Sequence, residues 1–202
     1  MPVFLLCFIV FIIWLRVKLK KSESKTKGWD LEYWEREQRA NFARKEDIRH
    51  LAYIKIPIEE LPFQKNPSAK EKELEEEIHN LSHKKILNLS SYSNIELKES
   101  FGMANFDELT EYDQNFLLLL QALNNWGTFL YEEGKENEAK TVMEYALSIG
   151  SDLSNVYTTL GKIYQSQQEI EKFQSLVATV KQSDSALKDS VLQQLEQIAL
   201  EY

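Results

Sequence analysis

LQALNNWGTFLYEEGKENEAKTVMEYALSIGSDL (residues 120–153) and SNVYTTLGKIYQSQQEIEKFQSLVATVKQSDSAL (residues 154–187) are consecutive windows of equal length that agree in spacing when superposed. Trp126-Gly127 falls on Leu160-Gly161. Leu130 matches Tyr164, Ala139 matches Phe173, Met143 matches Val177, and Ala146 matches Val180. Each window reads as helix, turn, helix. A period of this length implies stacked helical hairpins, each too small to bury its apolar face alone. Small residues sit where one helix crosses the next, and large ones fill the gaps beside them.

These offsets resemble the tetratricopeptide repeat, which asks for Leu-Gly, then an aromatic, then Ala, a large apolar residue and Ala. Gly134 falls where that family turns between its helices. Ser151 and Ser185 replace the proline that usually closes a repeat, and Phe173 and Val180 stand where small residues are usual, so the second window matches less well. The resemblance covers the two windows, positions 120–187, which make up roughly a third of the chain. It implies a mainly α protein built as a hairpin solenoid, whose first helices line a concave groove for extended peptides. At the matching positions the groove residues are Asn124, Thr128, Tyr131, Thr158, Lys162 and Gln165. Repeat packing falls to Gly127, Ala139, Ala146, Gly161 and Tyr164. One lysine is too few for a clamp on a peptide carboxylate. Two readings of this face stay open: an accessible peptide groove, or a face that is solvated or filled by residues 51–67.

A third period opens at residue 188, where Val191, Leu195, Ile198 and Ala199 give ALKDSVLQQLEQIALEY one apolar side. A terminal helix with a polar outer face suits a solenoid cap. Two repeats and a cap fall short of the three usually needed, so residues 68–118 are expected to supply N-terminal packing.

At the other end, residues 2–15 (PVFLLCFIVFIIWL) hold no charge and run into a basic cluster. Residues 16–27 carry six Lys and Arg against Glu23, which leaves −13 on residues 28–202 out of a net −8. An acidic body of that kind repels nucleic acid. No basic residue precedes the apolar run and no small-residue cleavage site follows it, which argues against a secretory signal. Leu6 before Cys7 gives a poor lipoprotein signal. Fourteen residues without a polar side chain leave no solvent face for a core helix. The segment is therefore expected to be an N-terminal transmembrane anchor over residues 1–19, extended by Val17 and Leu19 beyond the roughly 21 Å that fourteen residues rise. Basic residues stay on the cytoplasmic side, so the expected location is a bacterial inner membrane, single-pass, with the C-terminal domain cytoplasmic. Residues 1–27 are expected to contact membrane lipid.

Residues 20–67 form a basic juxtamembrane segment, an aromatic helix and a Pro-rich strap. WDLEYWEREQRANFARKEDI (residues 29–48) is expected to be helical, with Glu32–Arg36 and Glu35–Arg39 as i,i+4 pairs. Its rings Trp29, Tyr33, Trp34 and Phe42 suit either an interfacial or docking surface or, by the preferred reading, packing on the repeat domain. Pro57, Pro62 and Pro67 hold residues 51–67 extended, with Ile54, Ile56, Ile58 and Phe63 along a groove. Ser68 caps the helix SAKEKELEEEIHNLSHKKILNL (residues 68–89), with Leu74, Ile78, Leu81 and Ile86 as its stripe. Gly102 breaks the segment that follows. Residues 119–202 are the repeats and cap.

The chemistry expected of this chain is non-enzymatic. Cys7 is the sole cysteine and excludes an intramolecular disulfide. No phosphate-binding loop, nucleophile elbow or dinucleotide fingerprint occurs. Glu76, His79 and His83 share a helix face but lack the His-Glu-x-x-His spacing of a zinc site, so no metal, cofactor or catalytic residue is expected. The expected function is a membrane-tethered adaptor that binds a protein or peptide partner. The alternative is a structural subunit of a larger membrane-associated assembly.

Overall fold

The computed structural model describes residues 31–201 together with 8, 11, 12, 14–16 and 18. Among the described residues all regular structure is helical and no strand occurs. The helices are α1 (residues 31–40), α2 (Ala69–Ser82), α3 (Asn94–Phe101), α4 (Met103–Glu132), α5 (Glu136–Ser148), α6 (Ser154–Ser166), α7 (Ile170–Gln182) and α8 (Lys188–Glu201). Contacts group the chain into two compact units, residues 1–50 with 91–108 and residues 51–90 with 109–202. The division therefore cuts through the expected packing segment at residues 68–118.

In the second unit the period is written in the backbone. α7 starts at Ile170, one full period after Glu136 opens α5, and α8 starts at Lys188, one full period after Ser154 opens α6. The two hairpin turns also match. Lys135 (φ −87°, ψ 61°) and Glu169 (φ −81°, ψ 62°) precede α5 and α7. Before them, Gly134 and Gln168 both adopt left-handed backbone, at φ 75° and 59°. The Lys135 N–H donates to the Leu130 carbonyl (2.9 Å) as the Glu169 N–H does to that of Tyr164 (2.7 Å). Gly134 adopts this conformation freely, whereas Gln168 bears a cost of about 1–2 kcal/mol.

The two periodic glycines are points of contact. A methyl group on Gly127 of α4 would lie 2.8, 2.9 and 3.0 Å from Cε, Cγ and Sδ of Met143 on α5. On Gly161 of α6 it would lie 2.7 Å from Leu195 Cδ2 of α8 and 3.5 Å from Phe173 Cε2 of α7. Thus Phe173, large where the resemblance asks for a small residue, occupies space that Gly161 leaves. Ala139, Ala146 and Tyr164 are buried too, within one hydrophobic cluster. α8 buries only Val191, Leu195 and Ile198, while Ala199 and Leu200 are exposed.

α2 begins with a capping box: the Glu71 N–H donates to Ser68 Oγ, and the Glu71 carboxylate accepts from the Ser68 N–H. Buried Glu71 also receives Lys135 Nζ (2.7 Å), which ties α2 to the first hairpin turn. Leu74, Ile78 and Leu81 join the same cluster as Trp126. Residues 51–67 form the extended strap. Leu61 is buried, Ile54, Ile56 and Phe63 pack on the cluster, and the Phe63 ring sits 4.9 Å from that of Trp126. The Gln64 N–H donates to buried Glu75 Oε1 (2.9 Å), and Tyr145 donates to the Lys55 carbonyl (3.4 Å).

In the first unit α3 carries its own capping box, Ser93 with Glu96. Arg36 of α1 makes a two-pronged pair with Glu99, and Glu37 pairs with Lys98. Gly102 (φ 84°) separates α3 from α4, and a side chain there would meet the Arg44 carbonyl oxygen at 2.4 Å. Buried Asn105 clamps this corner, donating to the carbonyls of Glu46 (2.8 Å) and Phe101 (2.7 Å).

Several expectations change. The transmembrane helix over residues 1–19 is overturned, because among the described residues no helix is long and apolar enough to cross a membrane. The physical reason is length: fourteen apolar residues rise about 21 Å against roughly 30 Å of hydrocarbon, and Arg16 and Lys18 follow in helical conformation. The rest of that segment, the basic residues 20–27 and the start of the aromatic helix (Trp29, Asp30) lie outside the described residues. The aromatic helix stops at residue 40 rather than 48, and α2 stops at Ser82 rather than running to Leu89. Distant groups bind the backbone just past both ends. The Glu46 N–H donates to the Phe101 carbonyl, and the Ile86 carbonyl accepts from the Ile54 N–H. The Leu87 and Leu89 N–H groups donate to the Tyr112 carbonyl and Asp113 Oδ1. Tyr33, Trp34 and Phe42 are exposed, contrary to the preferred packing reading.

Two variants test the packing. Gly127→Ala lowers stability by up to about 2 kcal/mol in urea melts, since overpacking of roughly 1–3 kcal/mol is set against a helix-propensity gain of about 1 kcal/mol. Gly161→Ala loses less, because it presses only the terminal methyl of Leu195. Glu75 supplies a pH test. Burial raises its pKa above the ordinary 4.5, opposed by the Gln64 N–H and raised further by Glu71. The folded state therefore favours the neutral carboxyl, and wild-type stability from this group is lost as pH rises through its folded pKa. Glu75→Gln is expected to be the more stable protein at pH 7, with the advantage vanishing as pH falls toward 4.5, read from paired melts across that range.

Candidate functional site

The first helix of each period, namely the later part of α4, then α6, then α8, contributes a polar face in the second unit. On α4, Asn124, Thr128 and Tyr131 fall at i, i+4 and i+7, one side of a helix with 3.6 residues per turn. On α6, Thr158, Lys162 and Gln165 repeat that pattern one period later. All but Lys162 are half-buried.

Asn155 joins the two helices. Its side-chain amide donates to Asn124 Oδ1 (2.9 Å) and to Thr128 Oγ1 (2.7 Å). Thr128 in turn donates to the Asn124 carbonyl (2.7 Å), and Thr158 donates to the Asn155 carbonyl (3.3 Å). Further along, a cleft of about 360 Å³ opens between α6 and α8, lined by Asn155, Thr158, Lys162, Gln194, Gln197 and Glu201 over the buried methyls of Ile198. The lining holds one cation, one anion, three amides and one hydroxyl. Side-chain amides each offer donors and acceptors together, which matches the alternating N–H and C=O groups of an extended chain.

The structure thus brings Asn124 and Thr128 together through Asn155, and places Thr158 and Lys162 on one cleft. Tyr131 packs against the hydrophobic cluster with part of its ring. Gln165 lies a turn beyond Lys162 and outside the cleft lining. Trp126, which meets Phe63 of the strap, stands two residues from both Asn124 and Thr128 and so on the far side of α4. The strap's partners, Ile86, Glu75, Trp126 and Tyr145, lie on that far side, on α5, or along α2 and the segment after it.

Sequence reasoning missed Asn155, Gln194, Gln197 and Glu201. One period after Thr158, Lys162 and Gln165 come Leu192, Glu196 and Ala199, but these line an apolar groove of about 370 Å³ with Phe173 and Val177 of α7. The signal lay at residue 195. Where earlier periods have a glycine that receives a neighbour, α8 has a leucine that inserts into Gly161, and different residues face the cleft.

Behind the face, α5, α6 and α7 share a charged network. Tyr164 donates to Glu144 Oε1 (2.9 Å), which also accepts from Lys172 (3.0 Å). Lys140 and Lys172 both pair with Glu169, at 2.9 and 3.2 Å. Burial, and then the Glu144 carboxylate, push the Tyr164 hydroxyl well above the ordinary tyrosine pKa. The lysines hold the Glu169 carboxyl below its ordinary range, Lys140 foremost. Among the described residues no group of His, Cys, Asp and Glu has metal-site geometry, and His79 and His83 are exposed with rings 5.0 Å apart.

No known protein family, curated protein or solved structure matches the chain.

Asn155→Ala removes two exposed hydrogen bonds between α4 and α6. Their net worth is about 0.5–1 kcal/mol, at the low end for such bonds. A urea midpoint shift of that size with unchanged helical circular dichroism is the expected outcome.

Proposed function

We propose that this chain is a non-enzymatic adaptor that holds an extended segment of a partner protein across α4, α6 and α8. The observation that carries the reading is the amide-rich polar face from Asn124 to Gln194, with Lys162 as its cation. Paired helices that recur at the period of the sequence windows support the likeness to tetratricopeptide repeats, and with it the use of the first helices for binding. The adaptor works beside lipid, at the cytoplasmic face of a bacterial inner membrane, to which the basic residues of the segment 1–27 are attracted.

The alternative, a fixed subunit of a larger assembly, draws on the apolar groove between α7 and α8, lined by Phe173, Val177, Ala178, Leu192, Leu195 and Ala199. Obligate interfaces are apolar in this way. Recovery of the full chain as a monomer with no co-purifying protein counts against that alternative.

The test of the adaptor is purification of the full chain from its own cells beside a Thr158→Arg, Lys162→Glu double variant with unchanged circular dichroism. The partner recovered with wild type is expected to fall by about tenfold or more with the variant, as charge reversal within an interface does. Recovery equal to wild type overturns the reading.

A further inference from the structure

The first unit leaves a group of large apolar side chains in solvent that its own packing does not use. Leu31, Trp34 and Phe42 are 63%, 62% and 90% exposed. Tyr33, 55% exposed, meets Trp34 edge-on with ring centroids 6.1 Å apart. Positions 31, 34 and 38 fall within a narrow arc of a helix with 3.6 residues per turn, and Phe42 follows just past the end of α1. Elsewhere Ala40 and Ile48 are buried, as are Ile95, Leu97 and Phe101. Arg36 and Glu37 are tied to α3 through Glu99 and Lys98, which fixes the roll of α1 and the direction of the stripe. Isolated exposed apolar residues are ordinary, but Leu31, Trp34 and Phe42 follow one line along α1 and past its end, with Tyr33 turned to the α3 side, and make an interaction patch.

Charge indicates the occupant. The twelve residues 16–27, just before α1, carry six cations against one carboxylate. Before them Phe8, Phe11, Ile12, Trp14 and Leu15 are exposed as well, with Lys18 Nζ 5.0 Å over the Trp14 ring. A basic segment between two exposed aromatic groups complements an anionic surface with an apolar interior, which is a bilayer of anionic phospholipid. Trp and Tyr suit its boundary because each has an apolar ring with a polar N–H or O–H handle. The acidic side chains of α1 are outnumbered: Glu37 is paired with Lys98, and Glu32 and Glu35 stand in sequence against Arg39 and the six cations of residues 16–27, Arg36 being paired with Glu99. The ten described residues of α1 rise about 15 Å, long enough to lie on a bilayer surface.

We propose that α1 lies along an anionic phospholipid surface, with Leu31, Trp34 and Phe42 inserted at the headgroup–acyl boundary. The proposal rests on the reading that residues 1–27 bring the chain to lipid, and it adds a second contact that needs no spanning helix.

The test uses the full chain carrying Trp14→Phe and Trp29→Phe, reconstituted with phosphatidylcholine–phosphatidylglycerol vesicles. Trp34 then reports, over a constant background from buried Trp126. The expected result is quenching of Trp34 by brominated acyl chains and its protection from acrylamide. A further change, Trp34→Ser with Phe42→Ser in the unmodified chain, is expected to weaken partitioning onto these vesicles by about tenfold. If the chain floats with the vesicles while Trp34 stays open to acrylamide and unquenched by bromine, the α1 contact is overturned and residues 1–27 remain the attachment. If the chain does not float at all, both the α1 contact and the lipid reading of residues 1–27 fall.

Discussion

The second unit depends on how closely α6 can approach its neighbours. At Gly161 there is no side chain, and Leu195 of α8 and Phe173 of α7 fill the space. Gly127 accepts Met143 of α5 in the same manner one period earlier. Any larger residue at either point pushes the helices apart, and the losses spread because interiors are packed to crystal-like density. From these two seats follow the buried tyrosine at 164, the apolar cluster that runs from α2 to α8, and the distance at which Asn155 can bridge α6 to α4.

That spacing gives the polar face its chemistry. Helices brought this close can share hydrogen bonds between side chains on their surfaces, and the Asn124–Thr128–Asn155 group does so. Under the proposed adaptor reading, a face of amides and hydroxyls with a single lysine would pair with backbone rather than with a particular charge, which suits an extended segment of modest sequence constraint. The network behind it, Tyr164 with Glu144 and Lys172 with Glu169, joins α5, α6 and α7 and stiffens the support on which the face is mounted. Rigid support lowers the ordering cost that binding must overcome.

Much of the second unit was legible because its determinants are local and periodic. The turn at Gly134, the cap at Ser68 and the prolines of the strap each act within a few residues of their own position, and the glycines at 127 and 161 show in the period itself, although the side chains they receive, Met143 and Leu195, come from other helices. The helix ends at 40 and 82 were not legible. Residues 43–48 and 85–89 are compatible with helix by composition, but their backbone groups are bound by Phe101, Asn105, Ile54 and Tyr112, which lie far away in sequence. The lining of the polar cleft was legible in part: the repeat offset finds Thr158 and Lys162 from Asn124 and Thr128. It fails on α8, where Leu195 inserts into a seat instead of providing one. The transmembrane reading failed on length, since a wholly apolar run signals burial in something apolar without fixing how deep.

Site-specific photo-crosslinking in the cells that make this chain tests the central claim most directly. A benzophenone side chain at Thr158, on the α6 face, is compared with one at Glu171, exposed on α7. If α4, α6 and α8 hold a partner segment, Thr158 yields a discrete adduct with a second protein and Glu171 does not. Identical patterns at both positions, or no adduct at Thr158 while the chain is folded and present, would contradict it.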